Sequence, residues 1–170
     1  HHTAGTNTYR ADQSASIVRG IYYYHAVTRN WGDIGYNFLV DRYGQIFEGR
    51  TNSISSPNGT MVVGGHARPT NTGTIGISAM GNFSEVGPPA VVLDRMVDVI
   101  AWKYQLASID MSKPSGIISQ GLGVQPSGVN LPRIYGHRDV NATACPGPYI
   151  YDQLGRMINQ VRARVSANSV

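Results

Sequence analysis

Cys145 is the only cysteine of this 170-residue chain, and seven residues separate it from His137 on the stretch Ile134 to Gly147. An imidazole and a thiolate are the ligands a borderline-soft ion such as Zn²⁺ prefers. Two ligands do not complete a site, but the chain opens His1-His2-Thr3-Ala4 and can supply a third. Each residue also has a plainer account. The His pair could be a tag remnant, Cys145 a buried structural thiol, and His137 a packed histidine at a strand end. Three protein ligands would leave one tetrahedral position for water or substrate, the arrangement of a catalytic zinc. A structural zinc would want a fourth ligand, which His66 or His2 could provide. A catalytic zinc activates water and polarises a carbonyl, so the natural chemistry is amide or ester hydrolysis. Such a site needs a donor aimed at the developing oxyanion. Tyr36, after a turn and among apolar neighbours, could be that donor, although as one of ten tyrosines it could equally be an ordinary core residue. Thr143 could turn its hydroxyl to the same space, or cap its local turn.

The elements that must position these groups follow from periodicity. Ser14 to Arg29 predicts a helix, with Ile17, Val18, Ile21, Tyr22 and His25 on one face and His25 structural. Tyr36 to Val40 reads as a buried strand, Arg42-Tyr43-Gly44 as a hairpin turn, and Gln45 to Glu48 as the returning strand. Asn52 to Thr60 reads as a surface loop, Met61 to His66 as a strand, Arg68 to Gly73 as a loop and Thr74 to Met80 as a further strand. Pro88-Pro89 opens a helix to Leu106 with Leu93, Met96, Val97, Ile100 and Tyr104 buried. Residues 108–130 suggest an excursion or hairpin. Ile134 and Tyr135 read as a strand end, and Gly136 permits a tight turn before His137. A last helix, Pro148 to Val165, would bury Ile150, Leu154, Met157, Ile158 and Val161. Strands and helices interleave irregularly, which predicts an α/β fold with a central mixed sheet flanked by helices.

Composition narrows the function classes. Hydrophobic content of 41% against 14% charged describes a globular chain, and no apolar run approaches the roughly 18 residues of a membrane span. The net charge of +4 carries no basic run with interleaved aromatics, so nucleic acid is a poor partner, whereas an anionic wall polymer is compatible. A lone cysteine excludes an intrachain disulfide. A free thiol would be a liability on a secreted surface, whereas a metal-bound thiolate would not.

Six segments, in order, resemble the type 2 N-acetylmuramoyl-L-alanine amidases, the group that includes the peptidoglycan recognition proteins. They are His1 to Ala4, Trp31 to Phe38, Gly44 to Arg50, Gly64 to Ala67, Thr74 to Ser78, and Gly136 to Asp139 with Thr143 to Gly147. The spacing before His137 is most like that of secreted actinobacterial members. The resemblance implies the amidase type 2 fold over residues 1–170 as a single domain, with zinc on His1, His137 and Cys145. It implies Tyr36 and Thr143 as catalytic groups, and peptidoglycan contacts at Trp31, Arg50, Asn52 and His66. Arg138 and Asp139 would brace the His137 loop. His2 is expected to face away from His1, because neighbours on a strand point to opposite faces. The pair after Gly49-Arg50, Thr51-Asn52, matches neither usual discriminating form of the recognition proteins. The implied reaction is hydrolysis of the amide between the lactyl group of N-acetylmuramic acid and L-alanine. The alternative is a module that binds muropeptides without cutting them. A monomer in the secreted or cell-envelope compartment is expected. A preceding strand and an export signal are expected upstream of His1.

Overall fold

The computed structural model describes residues 1–57, 60–113 and 115–167. Residues 58–59 of the expected loop and residue 114 of the expected excursion lie outside the described residues. The sheet is mixed and short-stranded. Its central strand β1 (Phe38–Val40) pairs antiparallel with β2 (Ile46–Glu48) through the expected hairpin. On its other side β1 pairs parallel with β3 (Ile77–Ala79), Leu39 facing Ser78. β1 and β3 are buried throughout, as an apolar run covered on both faces should be.

The first residues extend this sheet beyond β3. His2 bridges Ala79 in parallel, His1 N–H donates to the Ile77 carbonyl at 2.9 Å, and Ala79 N–H donates to the His1 carbonyl at 2.9 Å. Thr3 N–H adds a bond to the Ala79 carbonyl at 2.9 Å. His1 and His2 therefore look to opposite faces, by the period-two rule of extended chain.

Alternation divides the core between two layers. Phe38, Val40, Ile77 and Ala79 pack with Val92, Met96, Val97 and Ile100 of helix α2 (Ala90–Leu106), and with Met157 and Val161 of α4 (Leu154–Ala167). Leu39 packs on the other face with Tyr9, Ile34 and Met80, beneath Ile17, Val18 and Ile21 of α1 (Ser14–Tyr23). The 108–130 excursion is a hairpin of β4 (Ser115–Ile118) and β5 (Asn130–Pro132).

Four expectations are corrected in detail. Met61 to His66 forms no strand ladder. One backbone bond, Gly65 N–H to the Gly35 carbonyl at 2.8 Å, and the Asn37 amide on the Val62 carbonyl hold it instead. A Cβ on Gly35 would lie 2.8 Å from the Gly65 oxygen, so the two backbones meet only because the side chain is missing. The last helix is broken: α3 (Pro148–Tyr151) ends where Gln153 N–H bonds the Ile150 carbonyl, a tightened turn, before α4 begins. The helix carrying α1 runs to the expected end, but its last turn, Tyr24–Thr28, is π-helical. Tyr22, expected on the apolar face, is 47% exposed. No helix among the described residues is long and apolar enough to cross a membrane.

Candidate metal centre

His1, His137 and Cys145 come together from three separate elements. His1 is carried by the extended chain beside β3. His137 opens a single 3-10 turn, His137–Asp139, and Cys145 follows a loop that folds back so that Arg138 N–H donates to the Cys145 carbonyl at 2.9 Å. Asp139 fixes that turn. One of its oxygens accepts Gly136 N–H at 2.8 Å and the other accepts the Tyr151 hydroxyl at 2.6 Å, with Arg138 lying 4.5 Å over the Tyr151 ring.

One ligand atom from each residue lies within 4.8 Å of the other two. Cys145 Sγ is 3.7 Å from His1 Nδ1, and the two histidine rings are 4.6 Å apart. Zn–S of 2.3 Å and Zn–N of 2.0–2.1 Å at a tetrahedral angle set sulfur and nitrogen about 3.6 Å apart, so this pair already has the spacing of two zinc ligands. Both rings have Nε2 occupied: His137 Nε2 bonds Asn141 Oδ1 at 3.1 Å, and His1 Nε2 bonds His66 Nδ1 at 3.0 Å. Nδ1 of each is left for a metal. The sulfur accepts His2 N–H at 3.3 Å.

The electrostatics suit neutral imidazoles, the metal-binding form. Burial lowers the pKa of His137, reinforced by the His1 α-amino group and opposed by its bond to Asn141. Burial, then the same amino group, His137 and Arg50, bring His66 down to about 3. The donor set, two imidazoles and a thiolate, fits zinc. Among the described residues the group holds no fourth protein ligand. His2 Nδ1 accepts Phe83 N–H at 3.1 Å on the opposite face, and His66 meets His1 at the nitrogen turned away from the sulfur.

Tyr36 lies beside the cluster, its ring 5.4 Å from that of His1. Burial, with the Cys145 charge second, pushes its phenol up to about 12, and the Ser78 hydroxyl pulls the other way. The phenol therefore keeps its proton and can donate it. Thr143 Oγ accepts Cys145 N–H at 3.2 Å, the turn-capping option, and its own proton meets no acceptor among the described residues. Trp31 reaches the cluster only through a row of rings: it lies 4.8 Å from His25, which lies 5.5 Å from Tyr36. Arg50 donates to the carbonyls of Ile34 and Val63, at 3.0 and 3.2 Å. Asn52 occupies an exposed turn at φ 69°, and its carbonyl accepts Ser56 N–H. The structure thus gathers His1, His137, Cys145, Tyr36 and His66. Arg50 is tied to backbone carbonyls, and Asn52 to its own turn.

Comparison with known proteins gives the family. The family model described as N-acetylmuramoyl-L-alanine amidase matches residues 1–148. This chain belongs to that family. It is similar to peptidoglycan-recognition protein SC2 of Drosophila simulans, 34% identical over 158 residues that cover 91% of this chain and 69% of that protein. Bovine (Bos taurus) peptidoglycan recognition protein 1 is 32% identical over 151 residues, 88% of this chain and 65% of that one. Among solved structures, wild-type Drosophila PGRP-LB aligns with a TM-score of 0.69 at 26% identity, covering 91% of this chain and 76% of that one. Human PGRP-IBETAC, solved in complex with glycosamyl muramyl pentapeptide, aligns with a TM-score of 0.62 at 28% identity, covering 89% and 76%. The mixed sheet with flanking helices is the fold of this amidase and recognition-protein family.

Two neighbours of this cluster, Asn141 and Thr74, escape sequence reading. Asn141 holds Nε2 of His137, and its position one helical turn after that histidine was the available signal. His25, expected to be structural, makes structural contacts: it accepts Gly35 N–H at 3.1 Å from its π-helical turn, and its ring lies between those of Trp31 and Tyr36. Thr74 meets His66 from the segment before β3, a contact between separate loops that no spacing announces.

Proposed function

We propose that this chain is a zinc-dependent N-acetylmuramoyl-L-alanine amidase. Its reaction is hydrolysis of the amide that joins the lactyl group of N-acetylmuramic acid to L-alanine of the stem peptide. The observation that carries this reading is the paired sulfur and nitrogen, Cys145 Sγ to His1 Nδ1 at 3.7 Å, with His137 alongside. Zinc bound by these three residues supplies a Lewis acid and an activated water.

The chain's own groups do the rest. Tyr36, a protonated phenol beside His1, donates to the oxygen of the lactyl carbonyl as negative charge develops there. Thr143, whose oxygen is engaged by Cys145 N–H, has its proton free for the same oxygen or for the leaving nitrogen. Water adds across the amide: its hydroxyl joins the lactyl carbonyl carbon, the C–N bond breaks, and the remaining proton ends on the alanine nitrogen. Trp31, Arg50, Asn52 and His66 contact the rest of the muropeptide. The muropeptide named in the human neighbour's structure supports that ligand class. A wall polymer as substrate puts the protein at the cell envelope or outside it, acting as one unit over residues 1–170.

The test is mass spectrometry of purified peptidoglycan incubated with zinc-loaded protein. Release of stem peptides with a free L-alanine amino terminus, stopped by a zinc chelator, is expected. Muropeptide binding without such release would overturn the enzymatic reading and leave a recognition module.

A further inference from the structure

His66 has a second task, written in its hydrogen bonds. Its ring sits in a slot cut by two glycines. A Cβ on Gly76 would fall 2.3 Å from His66 Cγ, and one on Gly64 would fall 2.6 Å from Cδ2. Its backbone is pinned as well, because Asn71 Oδ1 accepts both His66 N–H at 2.9 Å and Ala67 N–H at 2.7 Å. The ring is 9% exposed at the residue level and cannot swing freely.

The direction of the proton in each bond follows from the last partner. The Thr74 hydroxyl has one proton, and the carbonyls of Thr70 and, at 3.4 Å, Asn71 are placed to accept it. Its oxygen therefore presents a lone pair to His66 Nε2, 3.4 Å away, and Nε2 must carry a proton to use it. With its proton on Nε2, neutral His66 has a bare Nδ1 and can only accept there. The partner at that nitrogen is His1 Nε2, at 3.0 Å, which must then be the donor. A neutral His1 protonated on Nε2 has its lone pair on Nδ1, the atom that faces Cys145 Sγ.

We propose that the chain Thr70 carbonyl, Thr74 hydroxyl, His66 imidazole is a positioning device that holds His1 in the tautomer and ring orientation required of a metal ligand. This rests on the metal reading above, and it gives His66 a role that does not depend on substrate. Outer partners of this kind typically change metal affinity by roughly 10–100-fold when removed. The device also orders the His1 ring before the ion arrives, so less freedom is lost on binding.

Two measurements test it, neither using catalysis. Long-range proton–nitrogen correlation spectra of the metal-free protein should show both His1 and His66 protonated at Nε2. Chelator competition should show zinc bound roughly 10-fold more weakly by Thr74→Val, and up to 100-fold more weakly by His66→Leu. His66→Asn, which puts an amide oxygen near the place of Nδ1, should recover most of the loss, a rescue that packing alone would not give. A His1 protonated at Nδ1 in the wild-type spectra, or equal zinc affinity in Thr74→Val and wild type, overturns the proposal. The wild-type spectra do not depend on any variant folding. Failure to cleave peptidoglycan with the tautomers and affinities as stated would sink the amidase reading alone.

Discussion

Replacing Gly147 by alanine should damage both fold and metal site, and the size of the effect can be worked out. Gly147 follows Cys145-Pro146 and precedes α3, with φ 83° and ψ 153°. That region is essentially reserved for glycine and costs another residue about 1–3 kcal/mol. A Cβ there would also lie 2.2 Å from the Phe83 oxygen and 2.4 Å from its carbonyl carbon. Both atoms are backbone, so the segment must move by about 1 Å, at a further overpacking cost of about 1–3 kcal/mol. A total near 4 kcal/mol lowers the melting temperature by about 8–16 °C for a chain of this size. The displacement reaches the site. Phe83 N–H bonds His2 Nδ1, and His2 N–H bonds Cys145 Sγ, so zinc affinity should fall together with stability. Gly20→Ala is the opposite control. It lies within α1 with nothing within 4 Å of its added Cβ, and should gain up to about 1 kcal/mol. Thermal unfolding followed by circular dichroism measures both. A loss below about 1 kcal/mol in Gly147→Ala would refute the packing argument.

Tyr36→Phe should lower kcat by roughly 100–1000-fold, the usual effect of losing one oxyanion donor, while zinc affinity stays unchanged. A loss of only about threefold would remove Tyr36 from the chemistry. In the metal-free protein, stability should fall as pH drops below the ordinary histidine value of 6.5. Burial holds folded His66 at about 3 and folded His2 at about 4, so the unfolded chain takes up protons first. Their stabilising contribution is complete above 6.5 and is lost toward the folded values, at up to about 1.4 kcal/mol per pH unit for His66 and less for His2, whose desolvation is less complete. Urea titrations at pH 7 and pH 5 that gave equal stabilities would contradict this. Ser14→Ala should cost about 1–3 kcal/mol, because it takes from the fully buried Asp41 carboxylate a hydroxyl donor at 2.6 Å, and urea denaturation will show it.

Much of the fold was legible because periodicity and turn chemistry agreed. The 38–48 hairpin, the buried stripe of α2 and the excursion that became β4 and β5 all follow from pattern. Met61 to His66 misled because Val62 and Val63 carry strand propensity, while Gly64, Gly65 and the Asn37 amide provide a different set of partners. The break between α3 and α4 falls at Asp152-Gln153, and the nearest helix breaker, Gly155, lies inside the first turn of α4. At the site, residue types and segment order pointed to His1, His137 and Cys145, but the 3.7 Å between sulfur and nitrogen is a tertiary fact. The partners of the two Nε2 atoms, Asn141 and the His66–Thr74 pair, depend on loop geometry that residue types do not encode.

X-ray absorption at the zinc edge of metal-loaded protein goes straight to the coordination set. One sulfur at about 2.3 Å and two imidazole nitrogens at about 2.0–2.1 Å are predicted, with one further light atom and one zinc per chain. In Cys145→Ser the sulfur shell should vanish. A spectrum without sulfur, or a wild-type chain that binds no zinc, would contradict the assignment of His1, His137 and Cys145 as the metal ligands.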